Sequence, residues 1–307
     1  MAHHNVLVLE GGGAKIPIHF GVLEQLEKKV GKRIVDFVDL LVGTSTGSVA
    51  GSLICKGTRP AIEWSDIILK ELPVAFHKVW YPRLPVYDKN DYRKLYAKYA
   101  GEKTFMCELP MKFMVTSLET TEPRIHYFKS WEDKDGSMYV TDAVIRSFSA
   151  PYFFGSTVDE QNSKVWMDGG MTDDNLPLIE AYVECLRQGW LKDGNTCHIL
   201  AIGTGQPDTY TPFDIAKSGN ILGQTLKEFG LFASPTEGGL ARVISVNEQV
   251  KTVQAIAGAT PNLTLQFVDW FCMDKKYDKM DNTDARYVYY KKGLEIGDTI
   301  DSKLFKE

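Results

Sequence analysis

The chain has 307 residues, 44% hydrophobic and 24% charged, the make-up of a globular protein with a substantial core. A net charge of −5 and a pI near 5.8 exclude a nucleic-acid binder that works through global charge. No run approaches about 18 uninterrupted apolar residues, which excludes a membrane-spanning helix.

Five scattered cysteines without a C-x-x-C pair read as buried or free thiols of a reducing compartment, with no disulfide framework or zinc site. Met1-Ala2-His3-His4 shows no signal peptide and reads as a loose end, not a metal pair. The expected location is cytoplasmic, at most peripheral to a membrane surface. Asn5 to Leu9 is a short apolar run without alternation, as for a strand buried on both faces. Glu10 and Gly11-Gly12-Gly13-Ala14-Lys15 follow at once. Ile18 to Val30 then has helical spacing, with Phe20, Val22, Leu23 and Leu26 near one face.

Leu40 to Gly57 reads as a buried strand, a turn through Gly43-Thr44-Ser45-Thr46-Gly47, and a helix of small and apolar residues. That is the context of a G-x-S-x-G nucleophile elbow, in which Gly43 and Gly47 let the backbone bend sharply around Ser45. The helix that follows aims its positive end at the same place.

Residues 60 to 104 are expected to be mostly helical and aromatic, broken into pieces by Pro73, Pro82 and Pro85. Trp64, Trp80, Tyr81, Tyr87, Tyr92, Tyr96 and Tyr99 alternate there with basic residues, a pattern that suits either a lipid headgroup layer or a core. Lys112 to Leu118 and Arg124 to Phe128 read as strands, with His126 a structural imidazole. Thr141 to Ser147 reads as a helix capped by Thr141. Val165 to Met167 is a strand running into Asp168-Gly169-Gly170, and Leu178 to Gln188 a helix. Cys197 to Ile202 is a buried strand. Beyond Gln206 the pattern is mainly helical, including 222–232 and Val243 to Ala257; Tyr287 to Tyr290 reads as a late strand and Leu294 to Phe305 as a surface helix. The whole forms an α/β sheet with mostly parallel strands in a single domain, 1–307, with a motif-bearing core at about 5–206 and a mainly helical portion at about 207–307.

Ester hydrolysis by a serine needs a nucleophile, a base and donors for the oxyanion. Ser45 is the nucleophile candidate. The Gly11-Gly12-Gly13 loop offers a row of backbone N–H groups between a strand and a helix. Such a loop is equally able to hold a phosphate, yet it lacks the Gly-Lys-Ser/Thr ending of a P-loop and the G-x-G-x-x-G spacing. Beside an elbow serine, an oxyanion hole is the more economical reading. The only histidine after Asp168 is His198, near the start of its strand and so at the wrong end for catalysis. That leaves a carboxylate, and Asp168 stands at a strand end before two glycines. An Asp can act as direct base if burial lifts its pKa. No H-E-x-x-H is present and Asp173-Asp174 lacks EF-hand spacing, so neither metal nor cofactor is expected.

GGGAK…HFGVLEQLE, GTSTGSVAG, SAPYFF, DGGMTDDNLP and IGTG together resemble, in content and order, the patatin-like phospholipase family over roughly residues 5 to 206. The resemblance implies a three-layer patatin-like α/β fold and acyl-ester hydrolysis of membrane lipids by a Ser–Asp dyad. Carried onto this sequence it implies Ser45 as nucleophile, Asp168 as general base and the amides of Gly11, Gly12 and Gly13 as oxyanion donors, with Thr46 as a helper. Gly43 and Gly47 shape the elbow, and Gly169 and Gly170 the supporting loop. Asn175 and Pro177 match the family's stretch after DGG, with no chemistry attached. The glycine loop departs from the family's usual Lys/Arg-Gly continuation, since Lys15 precedes Ile16-Pro17. The expected substrate is a membrane phospholipid or galactolipid met by peripheral contact. The alternatives are a neutral-lipid or small-ester lipase, an acyltransferase, a ligand-gated membrane-degrading effector and, least favoured, a non-catalytic lipid-binding module.

Overall fold

The computed structural model describes residues 1–78, 85–101, 103–207, 240–272, 275–277 and 279–305. The chain opens with β1 (His3–Leu9), α1 (Pro17–Val30), β2 (Leu40–Thr44) and α2 (Thr46–Cys55). Then come α3 (Ala61–Ala75), α4 (Asn90–Ala100), β3 (Lys112–Glu119), β4 (Arg124–Lys129), α5 (Asp133–Gly136) and α6 (Val140–Ser147). β5 (Thr157–Asp159), β6 (Lys164–Asp168), α7 (Leu178–Arg187), β7 (Thr196–Ile202) and β8 (Gln206–Pro207) follow. The described remainder holds α8 (Leu240–Ala259), β9 (Leu263–Val268), β10 (Phe271–Cys272) and α9 (Arg286–Asp298).

One eight-stranded sheet runs β5-β6-β3-β2-β1-β7-β9, with β4 also paired to β3. From β3 to β9 the neighbours are parallel, while β4, β5 and β6 add an antiparallel end. The central strands are apolar over most of their length because both faces are covered, and successive side chains alternate between them. Leu7, Leu9, Leu41, Leu200 and Ile202 join the core beneath α1, α2, α3 and α6. Val6, Val8, Leu40, Val42, Ile199 and Ala201 join the one beneath α7 and α8. The three-layer α/β expectation holds.

Several local expectations do not. His3 and His4 are no loose end but the start of β1, with His4 stacked on Trp190. Pro73 sits within α3 and does not break it. Helix α6 is capped by Tyr139, and Thr141 lies inside it. Strands β5, only three residues long, and β9, which follows Thr260-Pro261-Asn262, are additions to the expected elements. The 222–232 helix expected from sequence, and Trp80, Tyr81 and Pro82, lie outside the described residues.

The largest correction is Tyr287 to Tyr290, which belongs to helix α9 although its aromatic and β-branched residues favour a strand. Packing overrides propensity here. Tyr289, Gly293 and Gly297 recur every four residues and are buried, so α9 lies on α1 and its 294–298 part is no free surface helix. Lys29 completes the joint by donating to the carbonyls of Gly297, Asp298 and Ile300 at 3.1, 2.5 and 3.1 Å. A Cβ on Gly293 would lie 2.3 Å from the Ile18 carbonyl oxygen and 3.0 Å from Gly21 Cα. Gly293→Ala must therefore part the helices and should cost about 2 kcal/mol, read as a lower denaturation midpoint at unchanged m value. An unaltered midpoint would contradict this packing.

Candidate active site

Strand register brings the two candidate residues together. β2 runs along β3 from Lys112 to Thr116, with Thr44 opposite Thr116. β6 runs the other way along Ser117 to Glu119, with Asp168 opposite Ser117. β4 occupies the other edge of the same residues, so β2 and β6 share one edge of β3 and their ends meet head to head. Ser45 follows one end and Asp168 closes the other. Ser45 Oγ donates to Asp168 Oδ2 at 2.7 Å, with both residues buried.

The elbow has the expected strain. Ser45 holds φ 52° and ψ −121°, a region non-glycine residues rarely occupy, and such outliers gather at functional sites. A Cβ on Gly47 would lie 2.2 Å from the Leu9 carbonyl oxygen, so the elbow can approach β1 only with glycine there. The Ser45 N–H donates to Ser147 Oγ at 2.8 Å, a restraint not visible in sequence.

Asp168 Oδ1 accepts the Gly170 N–H at 2.7 Å. Burial raises its pKa to about 6, against the lowering effect of the bonds from Ser45 and Gly170. A base must be unprotonated, so kcat/KM should fall about tenfold per pH unit below 6 and level off above it. A flat profile between pH 4 and 8 would remove Asp168 as the base.

In the glycine loop the three amides are not equivalent, contrary to expectation. The Gly11 N–H donates to the Asn175 carbonyl at 3.0 Å, and the Gly12 N–H to Thr46 Oγ1 at 2.8 Å. Both are committed within the fold, because Asn175 and Thr46 pack the loop against the elbow. The Gly13 N–H has no partner among the described residues, and Gly13 lines the same cavity as Ser45. The next amide, Ala14, donates to the Met280 carbonyl at 2.7 Å. Ile16, where the family usually has glycine, is buried on the cavity wall, and Pro17 starts α1.

The loop after Asp168 is anchored from distant parts of the chain. Asn175 Nδ2 donates to Glu10 Oε1 at 2.9 Å and to the Gly11 carbonyl at 3.1 Å. Glu10 also accepts the N–H and hydroxyl of Thr204, from the IGTG stretch. The Asp174 carboxylate accepts the Tyr127 hydroxyl and Gln249 Nε2. Gln249 Oε1 accepts the amides of Leu178 and Ile179 at 3.0 and 3.1 Å, so α8 ties the loop to the start of α7. Sequence reading found Asn175 only as a motif match and did not find Gln249, which carries no local signal.

Ser45 and Asp168 open on a predominantly apolar cavity. Its walls are Val49 and Leu53 of α2, Trp64, Ile67, Ile68 and Leu72 of α3, Tyr92, Leu95, Tyr96 and Tyr99 of α4, and Phe148, Phe153 and Phe154. The aromatic stretch is therefore chiefly an interior lining. Its basic residues are engaged locally: Arg93 with Asp142, Lys94 with Asp91, Lys98 with Glu71, and Lys89 with the carbonyls of Gly155 and Ser156. Arg146 is likewise paired, with Asp159, and Arg83 of that run lies outside the described residues.

His198 lies near the amino end of β7, buried against Phe305, and burial lowers its pKa to about 4. His126 packs between Phe128 and Trp166. Among the described residues, no group of three or more His, Cys, Asp or Glu is placed to hold a metal ion. No described helix is long and apolar enough to cross a membrane. Cys55, Cys185 and Cys197 are buried free thiols and Cys107 an exposed one.

A strained serine elbow, an aspartate at hydrogen-bond distance and a glycine loop on a three-layer α/β sheet define a class of lipid acyl hydrolase. The patatin-like phospholipase family model matches residues 7–182, and the chain belongs to that family. It is 23% identical over 246 residues to a cGAMP-activated phospholipase of Vibrio cholerae serotype O1, covering 71% of this chain and 69% of the relative. A cGAMP-activated phospholipase of Escherichia coli is 22% identical over 234 residues, covering 69% and 65%. VipD from Legionella pneumophila has a similar fold, with TM-score 0.53 and 14% identity, covering 99% of this chain and 67% of that one.

Proposed function

We propose that the protein cleaves acyl esters of membrane phospholipids or galactolipids through a Ser45–Asp168 dyad and an acyl-enzyme. The observation that carries this reading is the 2.7 Å bond between Ser45 Oγ and Asp168 Oδ2 on the wall of an apolar cavity able to take an acyl chain. Asp168 accepts the proton as Ser45 Oγ attacks the ester carbonyl. The Gly13 amide, with the Thr46 amide at the start of α2, receives the negative charge that develops on oxygen. Collapse expels the lysolipid, which takes the proton from Asp168. Water then attacks acyl-Ser45 with Asp168 again as base. The substrate is reached by peripheral contact with the lipid surface.

Fatty-acid release from mixed phospholipid vesicles, without added metal, tests the reading. Wild type should be active and Ser45→Ala at least about 10⁴-fold slower at unchanged fold. A Ser45→Ala variant that keeps its activity would sink it.

One contact favours a gated form of the same enzyme. The Met280 carbonyl is seated on the glycine loop through the Ala14 N–H, and a Cβ on Gly13 would lie 2.1 Å from it. An activator that withdrew Met280 would open the loop to the oxyanion, in keeping with the named relatives' activation by cGAMP. Repeating the vesicle assay with cGAMP decides this: equal rates with and without it dispose of gating by that ligand.

A further inference from the structure

Asn175 is buried, 3% exposed, and the two ends of its side-chain amide have different fates. Nδ2 faces two acceptors, Glu10 Oε1 and the Gly11 carbonyl, which fixes it as the NH₂ end. Oδ1 must then point the other way, and no described residue donates to it. It is not among the fully buried side-chain atoms without a partner, so the little of Asn175 that is exposed includes this oxygen, and a donor can still reach it.

The place of that oxygen is informative. A Cβ on Gly11 would lie 2.5 Å from Asn175 Oδ1 and 3.0 Å from Ser45 Cβ. A Cβ on Gly170 would lie 2.5 Å from the same oxygen and 3.1 Å from Asp168 Oδ1. Oδ1 therefore borders the nucleophile across one glycine and the base across another. Two positions without side chains leave it open to whatever stands beside the dyad.

The second half of the reaction needs a water there. One of its protons goes to Asp168; unless the other is also held, the attacking lone pair swings freely about that single bond. We propose that Asn175 Oδ1 accepts the second proton's hydrogen bond and so positions the water that hydrolyses acyl-Ser45. This rests on the hydrolase reading above. The water oxygen bonds to the acyl carbon as its proton passes to Asp168 and the carbonyl π pair moves onto oxygen. That pair then reforms the carbonyl, the bond from carbon to Ser45 Oγ breaks, and Asp168 returns the proton to Ser45. A free carboxylic acid leaves. Acylation uses no such water, so Asn175 acts on one half-reaction only.

The test is burst kinetics with a long-chain p-nitrophenyl ester, comparing wild type, Asn175→Leu and Asn175→Asp, with circular dichroism to check the fold. Asn175→Leu also forfeits the two Nδ2 bonds that hold the glycine loop, so its burst should slow. It should still release about one nitrophenol per chain and then turn over at least about tenfold more slowly than that burst, the worth of one hydrogen bond to a reacting water. Acyl-Ser45 should accumulate in its mass spectrum, and hydroxylamine, a stronger nucleophile than the displaced water, should restore turnover. Asn175→Asp keeps an oxygen at that place but sets its other oxygen against Glu10 Oε1 and the Gly11 carbonyl, so its overall rate should fall while acyl-enzyme should not accumulate. If burst and steady rates of Asn175→Leu fall together and hydroxylamine has no effect, Asn175 merely supports the glycine loop and the proposal is overturned. Should Asn175→Leu fail to fold, Asn175→Asp decides: acyl-enzyme accumulation in it overturns the proposal, and turnover at any rate without accumulation supports it. A wild type that forms no acyl-Ser45 removes the hydrolase reading itself, and the proposal with it.

Discussion

Asp168→Asn should lower acyl-ester hydrolysis about 10³-fold or more and, at the same time, make the protein more stable above pH 6. The loss follows from the role: an amide cannot accept the Ser45 proton. The gain follows from the surroundings. Burial lifts the Asp168 pKa from 3.8 to about 6, so the folded state binds a proton more readily than the unfolded one. For an acid with a raised pKa the sign is unfavourable at neutral pH. The penalty is absent below 3.8, grows as pH rises to 6 and is then constant, at about 3 kcal/mol for a shift of roughly 2 pH units. Asparagine keeps an acceptor for the Gly170 N–H and turns its NH₂ towards Ser45 Oγ, without the buried charge. Thermal melts of wild type and Asp168→Asn at pH 4 and pH 8 check this. The variant's advantage should be small at pH 4 and several degrees at pH 8. Equal melting at both pH values would mean that Asp168 is not carried at a cost, and full activity would place the base elsewhere.

Leu53→Trp should shift selectivity by about 10²-fold or more against long acyl chains while slowing short esters only a few-fold. Leu53 lies on α2 about two turns beyond Ser45, is 6% exposed and lines the cavity. An indole there fills the void beyond the reacting carbonyl and leaves the neck open. Each methylene denied burial forfeits about 0.8 kcal/mol, so excluding only a few of them reaches that ratio. Overpacking against Trp64 and Tyr96 would cost about 1–3 kcal/mol of stability, which a denaturant titration reports separately. Competition between palmitoyl and butyryl esters gives the selectivity directly. Were both to slow equally, the cavity would not be where the acyl chain lies.

The parts legible in the sequence are those set by neighbours along the chain. β1, β2 and β7 carry apolar runs (Val6–Leu9, Leu40–Val42 and Ile199–Ile202) because helices cover both faces, and each is legible nearly to its ends. The elbow was legible because its bend depends on glycines two residues either side of Ser45. Tyr287 to Tyr290 was misread for the converse reason. Local propensity favours a strand, and only the fit of Gly293 and Gly297 against α1, more than 260 residues away, makes the segment helical.

The site divides along the same line. By itself the sequence determined the chemical groups: a serine in a turn that exposes it, an aspartate before two glycines, and a glycine loop lined with backbone N–H groups. Each depends on residue type and near spacing. Tertiary structure decided what those groups do together. The meeting of Ser45 and Asp168 comes from β2 and β6 ending head to head on one edge of β3, a matter of register between strands over 100 residues apart. Commitment of the Gly11 and Gly12 amides to Asn175 and Thr46, the open Oδ1 of Asn175 and the cavity shared by α2, α3 and α4 follow from the same distant packing. Hydrogen bonds and voids exist only between surfaces brought within a few ångströms, and no local pattern encodes which surfaces those will be.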